Sequence, residues 1–132
     1  MKIKNFQVFD EGNQAAINEL MQKDLVGATA LKVVKIARKL DEVLKDIHKS
    51  VAIIREKYTV KDEKGNPVHP TENDVVLTDR VKISDPVAFN KEIAEILNVE
   101  SELEGEMLSE DEIKGVKISP KNLMILSWLI KS

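Results

Sequence analysis

The chain has 132 residues, of which 42% are hydrophobic, 33% charged and 4% aromatic, and its net charge is -3. That length suits a single domain, 1–132, with an aliphatic core, and the mild negative charge argues against a strongly basic nucleic-acid binder. There is no cysteine, which excludes disulfides, thiolate nucleophiles and cysteine zinc sites.

The opening Met1-Lys2-Ile3-Lys4-Asn5 lacks the apolar core of a signal peptide. No stretch approaches the roughly 20 apolar residues of a membrane span. A cytoplasmic protein with no membrane partner is therefore expected. Residues Ile3 to Phe9 mix β-formers with polar residues and predict a short strand. Asp10, Gly12 and Asn13 then break the strand and cap a helix, in which Ile17, Leu20 and Met21 fall at helical spacing as far as about Lys23.

The strongest signal follows. Val33, Ala37, Leu40, Leu44, Ile47, Val51, Ile54 and Tyr58 are spaced alternately by four and three, which is a heptad seam. No proline or glycine interrupts Ala28 to Tyr58. Helix propensity alone does not hold so long a helix, so its seam requires a partner from this chain, a second copy or another protein.

The polar stretch at about 61–79 is expected as a mobile loop, with a turn at Lys64-Gly65-Asn66-Pro67. Val75-Val76-Leu77 and Val81-Lys82-Ile83 look extended. A second helix begins at Asp85-Pro86, with Asp85 as cap and Pro86 as first helical residue, and ends near Asn98. From Val99 to Met107 the pattern alternates: Val99, Ser101, Leu103, Gly105 and Met107 share one face, and Glu100, Glu102, Glu104 and Glu106 share the other. Val116 to Ile118 suggests another short strand. Ser119-Pro120 opens a last helix, apolar nearly all round through Ile130.

No chemistry-bearing constellation stands out. His48 and His69 are the only histidines and lack metal-ligand spacing to any other residue, so neither a metal nor a cofactor is expected. Asp46, His48 and Ser50 resemble a hydrolase triad only in composition; on a helix His48 points away from the face that Asp46 and Ser50 share. The glycines form no phosphate loop. The expectation is a non-enzymatic protein.

Charge is more informative. Between Lys32 and Lys57 lie eight basic residues against four acidic ones, whereas Glu92 to Glu112 carries nine acidic residues and no basic one. Either these stretches face each other or solvent, or the acidic strip docks a basic partner surface. Nucleic acid is disfavoured, because the acidic strip would repel phosphates.

The order of these features resembles a family of small uncharacterised phage and prophage proteins of Gram-positive bacteria: Met1-Lys2-Ile3-Lys4-Asn5, a Lys-rich helix from Ala30 to Tyr58, Lys61-Asp62-Glu63-Lys64-Gly65-Asn66, Asp85-Pro86-Val87-Ala88-Phe89-Asn90-Lys91-Glu92, the Glu-rich alternation and Ile118-Ser119-Pro120. The resemblance implies a phage origin and a life in the host cytoplasm or in a virion, and it carries no catalytic residues.

The expected fold is α+β and α-dominated, with one long helix packed antiparallel with shorter helices and a small antiparallel sheet at one end. The expected function is a phage-type accessory protein that binds another protein, as an inhibitor of a host or defence factor. Self-association as a virion or tail-assembly component is the alternative, and an enzyme of unrecognised type a third. The expected contact residues are Glu100, Glu102, Glu104 and Glu106 on the acidic strand, and Ile47, Val51, Ile54 and Tyr58 at the far end of the seam.

Overall fold

The computed structural model describes residues 2–103 and 107–131. It is α-dominated α+β, with one long helix packing on shorter ones and small two-stranded sheets. Its contacts gather into two compact units, one made of the chain up to Ile47 together with the segment from Leu97 onward, the other of His48–Ile96. No helix among the described residues is long and apolar enough to cross a membrane.

In the first unit, β1 (Lys2–Lys4) pairs antiparallel with β4 (Glu100–Glu102), setting Lys2 opposite Glu102, Ile3 opposite Ser101 and Lys4 opposite Glu100. Ile3 points inward at 1% exposure while both lysines stay in solvent, as a period of two requires. The expected strand Ile3–Phe9 stops early. From Asn5 to Phe9 the chain is helix α1, because Gln7 Oε1 accepts the Lys4 amide at 3.0 Å and so caps a first turn. Asn5 and Val8, three apart, then face the core. The Gln14 side-chain amide donates to the Phe9 carbonyl at 3.2 Å, covering the other end.

Helix α2 (Glu11–Met21) starts where expected, with Asp10 Oδ2 accepting the Asn13 amide at 3.0 Å. Asn13, Ala16, Ile17 and Leu20 are buried at i, i+3, i+4 and i+7. Helix α3 (Gly27–Tyr58) has 32 residues and is about 48 Å long. Its first part buries Thr29, Val33, Ile36, Leu40 and Ile47 in this unit.

The C-terminal part departs most from expectation. Short strand β5 (Leu108–Ser109) leads into α5 (Glu110–Ile113) through a capping box: the Glu112 amide donates to Ser109 Oγ and the Ser109 amide to Glu112 Oε1. Helix α6 (Pro120–Ile125) opens on the Ser119 cap as predicted, but a 3₁₀ turn at Leu126–Trp128 ends it, and the chain leaves as β6 (Ile130–Lys131). Strand β6 pairs parallel with β5, Leu108 opposite Ile130. The turn is tighter because Leu126 and Leu129, three apart, are both fully buried. Val116–Ile118 forms no strand. The Glu19 carboxylate accepts from the Asn122 side chain and the Ser119 amide, tying α2 to α6.

No side chain of the second unit is fully buried among its described residues. The stretch expected as a loop carries ordered pairing. Asp62 Oδ1 accepts the Lys64 and Asn66 amides, each at 2.9 Å, and Gly65 takes φ +81°. Val60 donates to Lys82, Lys82 to Val68 and Val68 to Val60. Strands β2 (Thr71–Glu72) and β3 (Val75–Val76) form a hairpin over Asn73 and Asp74, whose φ of 52° and 64° suit a type I′ turn. Helix α4 (Pro86–Asn98) has the expected bounds, with Asp85 Oδ1 accepting the Ala88 amide. Tyr58 and Phe89 meet edge to face, with ring centroids 6.1 Å apart.

Truncating a fully buried side chain removes transfer energy and leaves a cavity. Leu108→Ala is expected to lower the unfolding free energy by about 2–5 kcal/mol in urea titrations. Val87→Ala, at a side chain left 81% exposed, is expected to change it by less than about 0.5 kcal/mol.

Candidate interaction surface

Part of the acidic stretch is engaged within the fold. Glu100 and Glu102 are exposed on β4, directly across from Lys4 and Lys2, so opposite charges alternate over the solvent face of that small sheet. Glu104 and Glu106 lie outside the described residues. Glu112 accepts from the Lys32 ammonium at 3.0 Å and the Thr29 hydroxyl at 3.1 Å, both on α3. In the second unit Glu92 pairs with Lys57 at 3.0 Å. Glu112 and Glu92 are thus each paired with a lysine of α3.

The hydrogen bond from the Ser109 amide, then the Lys32 ammonium and the Thr29 hydroxyl, hold the Glu112 carboxyl down to about 2 from a usual 4.5, against the opposing effect of desolvation. In the second unit the Tyr58 hydroxyl and the Lys57 ammonium lower the Glu92 carboxyl, and the Tyr58 phenol is raised in return, chiefly by Glu92. Lys57 Nζ also sits 5.1 Å from the centre of the Tyr58 ring.

The seam residues expected to face a partner separate. Ile47 is 2% exposed and belongs to the core of the first unit, so it is not available for docking. Val51, Ile54 and Tyr58 are half-buried in the second unit, and beside them Ile53 is 70% exposed. His69 Nδ1 lies 2.6 Å from the Arg80 carbonyl oxygen; a carbonyl only accepts, so Nδ1 carries the proton. Among the described residues no three His, Cys, Asp or Glu side chains gather as metal ligands would.

Two concavities lie in the first unit, and neither was anticipated from the sequence. One, of about 320 Å³, runs between α2 and the middle of α3, with Ile17, Met21, Leu40 and Leu44 as walls and Asn18 and Asp41 among its polar lining. The other, of about 260 Å³, is lined by Phe6, Gln7, Asp10, Asn13, Ile125 and Trp128. Trp128 is held there by donating its indole N–H to Asn13 Oδ1 at 2.9 Å, while Phe6 is 48% exposed. An exposed Phe beside the chain's only tryptophan is the composition typical of the energetic centre of a protein interface. The sequence signal for this recess was faint: Phe6 and Trp128 are 122 positions apart.

No family model, characterised protein or solved structure matches the chain.

The Glu112 shift links stability to pH. Its folded-state pKa lies below the unfolded one, so its contribution is complete above 4.5 and is lost as pH falls from there toward about 2. Glu112→Gln is expected to be less stable than the parent at pH 7 and to lose less stability on acidification. Urea midpoints of both proteins at pH 7, 4 and 3 check this; parallel pH profiles would refute it.

Proposed function

We propose that the chain is a non-enzymatic, phage-type accessory protein that works in the host cytoplasm by binding another protein, as an inhibitor of a host or defence factor. The observation that carries this reading is the recess lined by Phe6, Ile125 and Trp128, an open concavity with two aromatic side chains in its walls. The sequence resemblance supplies the phage setting. The acidic strand is now the weaker candidate for the contact, since Lys2 and Lys4 stand across from Glu102 and Glu100.

Affinity capture from host lysate tests the reading. The parent protein is expected to retain a reproducible partner, Phe6→Ala to lose it by about tenfold or more as an aromatic anchor should, and Ile53→Ala in the second unit to keep it. Absence of any reproducible partner would reject protein binding, and equal capture by Phe6→Ala would reject this surface.

A second reading, self-association as a virion or tail-assembly component, is favoured by the far end of the seam, where Val51, Ile54 and Tyr58 are half-buried and Ile53 is exposed. It predicts a molar mass that rises with concentration in light scattering and falls back to the monomer in Ile53→Asp. A monomer at every concentration removes it.

A further inference from the structure

We infer that the Phe6–Trp128 recess receives a basic side chain, arginine or lysine, of the partner protein. Three observations converge. The walls are two aromatic side chains with the aliphatic Ile125 between the same elements, which suits a cation carried on a methylene stem: the stem takes the apolar contact and the charge takes the ring faces. The rim holds a carboxylate with spare capacity. Asp10 uses Oδ2 to cap α2, and neither Asp10 nor Glu11 has an ion-pair partner among the described residues.

On the α1–α2 side of the recess the charge has one sign. From Asn5 to Gln22 the chain carries Asp10, Glu11 and Glu19 and no basic residue. The start of α2 bears a partial positive charge, which disfavours a cation, but two full negative charges in the cap and first turn outweigh it. A purely apolar side chain would desolvate the Asp10 charge with no counter-charge beside it, which is costly. An acidic one would meet like charge. Complementarity therefore selects the basic occupant.

Trp128 is the only tryptophan, so its emission reports on the recess directly. The probes are three capped peptides, glycine–X–glycine with X as arginine, lysine or norleucine. Arginine and lysine peptides are expected to change Trp128 emission saturably, with affinity falling as salt rises, and norleucine to bind about tenfold more weakly. Asp10→Asn keeps a good helix cap while removing the charge, so it is expected to erase most of that tenfold preference with the fold intact by circular dichroism. Phe6→Leu, at an exposed position, is expected to weaken the basic peptides and leave stability near the parent's. Equal binding of the three peptides, or an unchanged preference in Asp10→Asn, overturns the inference.

The inference rests on the protein-binding reading, and the two fail separately. A partner captured equally by the parent and Asp10→Asn refutes the basic occupant and leaves protein binding standing. A basic-side-chain preference without any captured partner does the reverse.

Discussion

A helix of 32 residues has little to hold it in water until one side of it is covered. The nucleation cost is met once, but the remaining stability has to come from burying the apolar stripe. Here the first part of that stripe, Val33, Ile36, Leu40 and Ile47, is taken out of solvent by segments from both ends of the chain. Helix α2 lies along it from the N-terminal side, and Glu112 of α5 reaches Thr29 and Lys32 from the C-terminal side. Strand pairings β1–β4 and β5–β6 hold these segments at their ends. The side chains with the least exposure, Ala16, Leu108, Leu126 and Leu129, all belong to this unit. The recess of Phe6 and Trp128 lies in the same unit, between α1–α2 and α6 with its closing turn.

Electrostatics reinforces the same arrangement. Part of the stretch that looks like a one-signed acidic strip is set opposite basic residues after folding. Lys32 and Thr29 on α3 reach Glu112, and Lys2 and Lys4 lie across from Glu102 and Glu100. Such pairs contribute modestly where exposed. Their consequence for function is larger, because carboxylates engaged inside the fold offer less to a partner. Asp10, with no ion pair among the described residues, lies instead beside the aromatic lining of the recess.

The second unit is built differently. With no buried side chain among its described residues, it relies on turns with defined hydrogen bonds, on the Lys57–Glu92 pair and on the Tyr58–Phe89 contact. Small units with thin cores gain little from burial and more from such local devices. Val51, Ile54 and Tyr58 are only half-buried here, and Ile53 beside them is exposed.

The elements readable from sequence alone were those specified by local rules. The uninterrupted heptad seam defined α3, Asp85-Pro86 and Ser119-Pro120 defined the starts of α4 and α6, and Lys64-Gly65-Asn66-Pro67 defined a turn; caps and turns are set by residues within four positions of one another. Ser109-Glu110-Asp111-Glu112 obeyed the same local logic as a capping box, although it lies at the edge of a stretch whose alternation reads as strand. What tertiary structure alone decided was long-range. Val8 of α1 found a core to enter, the last helix tightened because Leu126 and Leu129 both had to be buried, and Ile130 became strand because Leu108 offered it a backbone ladder. The recess exists only because folding brings Phe6 to Trp128, two residues no local pattern connects. The long helix itself was written in its spacing; which part of its seam is core and which part is surface was settled by how much of the chain folds back to cover it.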